Sequence, residues 1–192
     1  MSGSRFCKVC IGSYWKAYSF KAATTETLYF SDVQPMVPIP PITTTYLPDL
    51  QTLNGLFISD ISTSDREDCL SKFTALRSLN LHGRLFPEWD LSSLTHLYKL
   101  HLVGSMQKMF DIQCFPKNLA ELILTSSLLM EDPKKKLEKL RSLRVLKLKQ
   151  AASVGREMTC SSGGFVQLQL LKLSFMNSVV TLRIEEGVLN KI

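Results

Sequence analysis

From Leu50 onward, one arrangement of apolar and polar positions recurs along the chain. Written L-x-x-L-x-x-L-x-L, it starts at Leu50, Phe73, Leu94, Pro116, Leu140 and Phe165, at spacings of 23, 21, 22, 24 and 25 residues. The most regular copy is LRSLRVLKL at 140–148, where Leu143, Leu146 and Leu148 fill the fourth, seventh and ninth places. The same places hold Leu53, Leu56 and Ile58 in the first copy and Leu168, Leu171 and Leu173 in the last. Places seven and nine are two apart, the spacing at which strand side chains share a face. Places one, four and seven are three apart, which suits a tight, nearly helical approach to that strand.

A single copy cannot bury its own leucines. Stacked copies bury them against one another in a continuous apolar column. A period of 20–29 residues with this spacing predicts a leucine-rich-repeat solenoid of the α/β class. Its curved parallel sheet lies on the concave side, with short helices or irregular returns on the convex side. About six repeats and the start of a seventh are expected over 47–192. Leu189 and Ile192 carry the seventh, so the chain reads as a fragment or a shortened gene product. Residues 1–46 carry no repeat and hold four prolines between Pro35 and Pro41. They read as an irregular leader or a damaged cap.

On the back of the coils, Asp132-Pro133 predicts a capped helix start, with Leu137 and Leu140 turned inward. A second short helix is expected from Ser64 to Leu70. Phe86-Pro87-Glu88-Trp89 interrupts the period and is expected to turn the back of the second repeat. Between strands, the alternation puts Lys147 outward, where it should matter little to stability, and Leu146 inward.

Charge sharpens the picture at one place. The net charge is +6, yet residues 133–149 alone hold eight basic side chains against Glu138. Such a run could dock an acidic surface or nucleic acid. A solvated convex helix is the expected reading, with Lys147 and Lys149 as the exceptions on the sheet. The five cysteines are an odd number, the Asn-x-Ser/Thr glycosylation signal is missing, and the first 30 residues lack a continuous apolar run. These features point to a reducing, cytoplasmic setting. Cys69, Cys114 and Cys160 are expected as small buried thiols. Cys7-x-x-Cys10 lacks the second pair that a zinc site needs. No metal or cofactor is expected.

The wording between the leucines is more specific. LPDLQTL at 47–53, FPKNLAEL at 115–122, DPKKKLEKLRSLRVLKL at 132–148, GREMTC at 155–160 and RIEEG at 183–187 together are similar to one family. They resemble the C-terminal repeats of plant coiled-coil nucleotide-binding leucine-rich-repeat disease-resistance proteins, of the late-blight and mildew resistance type. The resemblance implies a protein-protein interaction module of an immune receptor. Its partner would be a pathogen effector, a guarded host protein or the receptor's own nucleotide-binding domain. The chain has no G-x-x-x-x-G-K-[ST] phosphate loop and no coiled-coil heptads, so only the repeat region's share, binding, is expected.

Catalysis finds no footing. H-E-x-x-H, G-x-S-x-G and dinucleotide loops are missing, and no nucleophile is tied to His82 or His101. The period instead names a binding face at places six, eight and ten. Its partner-binding candidates are Phe57, His82, Lys99, His101, Ile123, Val145, Lys147, Lys149, Leu170 and Lys172. Phe57, Ile123, Val145 and Leu170 are expected to supply apolar contact area. A substrate-binding scaffold such as a ubiquitin-ligase adaptor is the alternative, although 1–46 shows no adaptor-binding helix. A cell-surface ectodomain would need a signal peptide and capping cysteine pairs. Nucleic-acid binding rests on the 133–149 run alone.

Overall fold

The computed structural model describes residues 20–24, 26–30, 49–58, 70–71, 73–86, 88–106, 108–150, 157–161, 163–175 and 181–184. Ten strands occur among them: β1 (Phe20–Thr24), β2 (Thr27–Phe30), β3 (Thr52–Ile58), β4 (Ser78–Phe86), β5 (Lys99–Met106), β6 (Glu121–Thr125), β7 (Val145–Lys149), β8 (Glu157–Cys160), β9 (Leu170–Ser174) and β10 (Thr181–Ile184). The main sheet runs β1-β2-β3-β4-β5-β6-β7-β9. Its six repeat strands, β3 to β7 and β9, are parallel, and each pairs with the strand of the next repeat. The fold is a leucine-rich-repeat solenoid. Ahead of the repeats, β1 and β2 pair antiparallel, and β2 continues the sheet in parallel with β3.

The spacing of three has a direct cause. In five successive copies the place-four N–H donates to the place-one carbonyl: Leu76 to Phe73, Leu97 to Leu94, Leu119 to Pro116, Leu143 to Leu140 and Leu168 to Phe165, at 2.9–3.2 Å. Each closes a single tight turn that drops the chain into its strand. The leucines then meet across registers, with Leu79, Leu100, Leu122, Leu146 and Leu171 in one rung and Leu81, Leu102, Leu124, Leu148 and Leu173 in the next. All but Leu171 and Leu173 are fully buried, and those two pack against the same core. Full burial of a leucine contributes about 1.5–3 kcal/mol, which a lone coil could not collect.

Neighbouring coils are also fastened at their turns. The place-three side chain of one coil bonds a place-two carbonyl of the coil before it. His96 Nδ1 meets the Thr74 carbonyl at 3.0 Å, Asn118 Nδ2 meets Thr95 at 2.9 Å and Ser142 Oγ meets Lys117 at 2.7 Å. A carbonyl can only accept, so His96 carries its proton on Nδ1 here.

The first repeat departs from the sequence register. Leu53 pairs with Leu79, and Leu56 with Leu81, with Gly55 as an extra residue at φ 79°. Leu53 is therefore the place-seven leucine and Leu50 the place-four one. The coil begins three residues earlier than the pattern predicts. A β-bulge hides this from the spacing, because one inserted residue converts the true two-residue step into three.

On the back, Leu70 and Ser71 are helical, and the one α-helix whose whole span is described is the single turn α1 (Lys134–Leu137). Asp132 Oδ1 accepts the Lys134 N–H at 3.0 Å, as its position before Pro133 predicts. Leu137 and Leu140 are buried. β8 packs beside α1 and pairs in parallel with β10 in a small separate sheet. Phe86 and Trp89 close the back of the second repeat, with their rings edge to face at 6.0 Å. Most of the helix expected at 64–70, and the seventh-repeat residues 189–192, lie outside the described residues.

Candidate partner-binding face

The solvent side of the sheet is three rows of side chains fixed by strand register. Ser78, Lys99, Glu121, Val145 and Leu170 form the first. Asn54, Asn80, His101, Ile123, Lys147 and Lys172 form the second, and Phe57, His82, Val103, Thr125, Lys149 and Ser174 the third. Nine of the ten candidates thus stand where the period places them. Phe57 moves one row over, because the Gly55 bulge sets it beside His82, and its side chain lies outside the described residues.

The rows differ in character along the solenoid. Toward β3 and β4 the face is neutral and polar. Asn80 Nδ2 donates to Asn54 Oδ1 at 2.6 Å, while Asn80 Oδ1 is buried with no partner among the described residues. In the middle the face closes over. Ile123, expected as an open apolar contact, is 7% exposed, and Thr125 is nearly as buried. Ile123 stands in its row between the long side chains of His101 and Lys147, and a sheet side that curves inward crowds them together. Apolar area is offered instead at the last strand by Leu170 and, just past it, by Phe175 at 77% exposure. Val145, facing Leu170 across the register, is half-buried.

Phe175 belongs to a feature that the leucine spacing does not show. At the eleventh place the backbone takes a positive φ in four coils: at Ser126, Gln150 and Phe175, each the residue after its strand, and at Gly104, inside β5. In the three later coils this left-handed step turns the chain out of the sheet. A polar or glycine residue at every eleventh place would have been the signal, but an aromatic in the last copy obscures it.

Glu121 is the electrostatic centre. Lys147 Nζ holds one of its oxygens at 2.7 Å and Lys99 Nζ the other at 3.2 Å. Burial pushes the Glu121 carboxyl up, but hydrogen bonds and charge from Lys147 and Lys99 outweigh it and leave the group below the ordinary carboxylate value. His101 Nε2 pairs with Thr125 Oγ1 at 3.1 Å. Burial first, then the charges of Lys149, His82 and Lys99, drive the His101 pKa from 6.5 to about 4. Burial lowers His82 as well. Near neutrality, then, charge on the described part of this face resides on Lys99, Glu121, Lys147, Lys149 and Lys172.

The folded chain binds a proton at His101 less readily than the unfolded chain. That contribution to stability is complete above the ordinary histidine pKa and drains away as pH falls toward 4. For a half-buried group, His101→Gln should remove about 1 kcal/mol of the stability difference between pH 7 and pH 5, read by urea unfolding at both. An unchanged difference would place the titration elsewhere.

The basic run does not form one patch. Lys147 and Lys149 sit on the sheet, Lys135, Lys139 and Arg141 are exposed on the back and turn, and Lys136 Nζ donates to the Met109 carbonyl at 3.0 Å. Lys134, expected in solvent, is fully buried, and its Nζ lies 3.6 Å from Cys160 Sγ. One helical turn packed on β8 leaves its first side chain no exit to water. Cys160 is a buried free thiol, and Cys114 is free and half-buried. Burial raises both above the usual thiol range. Among the described residues no helix is long and apolar enough to cross a membrane, and no group of three or more His, Cys, Asp or Glu side chains could hold a metal ion.

No family model matches the chain. Individual relatives do. Probable disease resistance RPP8-like protein 4 of Arabidopsis thaliana is 34% identical over 152 residues, 72% of this chain and 17% of that protein. RPP8-like protein 2 of the same plant is 41% identical over 92 residues, 48% of this chain and 10% of its own length. Disease susceptibility protein LOV1, also of Arabidopsis, is 33% identical over 139 residues, 69% of this chain and 15% of that protein. The chain therefore spans less than a fifth of each of these relatives.

Proposed function

On the premise that these repeats are related to those of plant disease-resistance proteins, we propose that the chain is a protein-protein interaction module in defence, with the inner sheet face as its contact surface. The observation that carries this reading is the face itself. Along the solenoid it passes from an asparagine and histidine half, through a closed centre pinned by Glu121, to lysines beside exposed Leu170. Such a mixture of graded charge and apolar area suits a protein partner. The partner is a pathogen effector, a guarded host protein or a nucleotide-binding domain that the face restrains. The chain acts in the cytoplasm, and its share of the work is binding.

Site-directed photo-crosslinking tests the contact face. A benzophenone side chain at Lys99, on the inner face, should yield discrete protein adducts in irradiated leaf tissue. The same group at Lys135, on the back, should not. Adducts from Lys135 alone, or equally from both, would refute the inner-face assignment.

A further inference from the structure

We infer that the lysines on β7 and β9 take a carboxylate-bearing segment of the protein partner. This rests on the inner face being the contact surface and goes further, in naming the chemistry that docks at one end of it.

Lys147 and Lys172 stand opposite one another on adjacent strands, and Lys149 follows two residues along β7. Strands lie roughly 4.8 Å apart, and like charges directly opposite destabilise a sheet. Glu121 relieves only part of this, because its carboxylate is shared between Lys147 and Lys99. Among the described residues Lys149 and Lys172 make no ion pair. Lys149 is nonetheless close enough to depress the protonation of His101. Three cations crowd a small area, and among the described residues this face holds no acid that balances the other two.

The surroundings favour protein carboxylates over phosphate. None of the three rows contains arginine, the residue whose planar fork suits phosphate oxygens. Leu170, 42% exposed, flanks Lys172 in β9, and half-buried Val145 stands opposite it. An extended segment with an apolar side chain beside carboxylates two residues apart meets both features. A nucleic-acid backbone would meet only the cations, and Lys135, Lys139 and Arg141 lie on the back and turn, where they extend no track for it, while Lys134 is buried.

A labelled peptide with two glutamates and a leucine at successive alternate positions, spaced by serines, titrated into the full chain and followed by fluorescence anisotropy, tests the inference. The peptide should bind, its glutamine counterpart should not, and binding should weaken with added salt. Lys149→Glu with Lys172→Glu should weaken binding about tenfold, whereas Lys135→Glu with Lys139→Glu, an equal charge change on the back, should leave it intact. Binding of the glutamine peptide, equal losses from both pairs, or displacement by inorganic triphosphate as effective as by unlabelled peptide would overturn the inference. If adducts from Lys99 persist in any of these cases, the contact face stands and the acidic class alone falls. If those adducts are missing too, both fall.

Discussion

Leu146→Ala is expected to lower the unfolding free energy by about 2–5 kcal/mol. Leu146 is fully buried in β7, in register between Leu122 and Leu171, so truncation opens a void in the middle of the leucine column. The coils above and below are fixed by their own ladders and cannot collapse inward to fill it. Lys147→Ala, one residue away, loses a solvent-side ion pair while Lys99 still holds Glu121. Its cost should be about 1 kcal/mol or less, more than a free surface lysine but well below the leucine. Urea unfolding of the two variants, with unchanged m, makes the comparison. Equal losses would mean that β7 does not alternate between core and solvent.

Gly104→Ala should be worse tolerated than its small size suggests. Gly104 has φ 142°, and a Cβ there would lie 2.8 Å from the Gly83 carbonyl carbon, nearer still to its oxygen, and 3.1 Å from Phe86 Cε2. The obstruction is mostly backbone of the adjacent coil, so it cannot swing aside. Strain and clash together should cost about 3 kcal/mol or more, enough to reduce soluble yield. Gly163 provides the control. It too has a positive φ, of 80°, yet a Cβ there meets nothing within 4 Å. Gly163→Ala should cost only the left-handed penalty of about 1–2 kcal/mol. Similar losses at both sites would show that β4 and β5 do not approach so closely.

Much of this was legible beforehand because it is periodic. The leucine rungs, the parallel strands and the side of the sheet on which nine of the candidates stand follow from spacing, and the capped turn at Asp132 follows from the Asp-Pro pair. The register of the first repeat is hidden from the sequence because Gly55 adds one residue, which spacing cannot distinguish from a step to the next place. The burial of Ile123 is not legible because alternation reports which side a residue faces, not how deeply its neighbours cover it. The burial of Lys134 is not legible either, because charge predicts a preference for water, whereas packing of α1 on β8 decides whether water can be reached.

By itself, then, the sequence determined the repeating coil, since burying a leucine every two or three residues over six copies has few other solutions. Only the tertiary structure decided which lysines share a carboxylate, which histidine is kept from titrating until about pH 4, and where the inner face is open or closed. Those properties depend on side chains some two dozen residues apart meeting across coils. Desolvation and charge act over those through-space distances, and a period measured along the chain does not contain them.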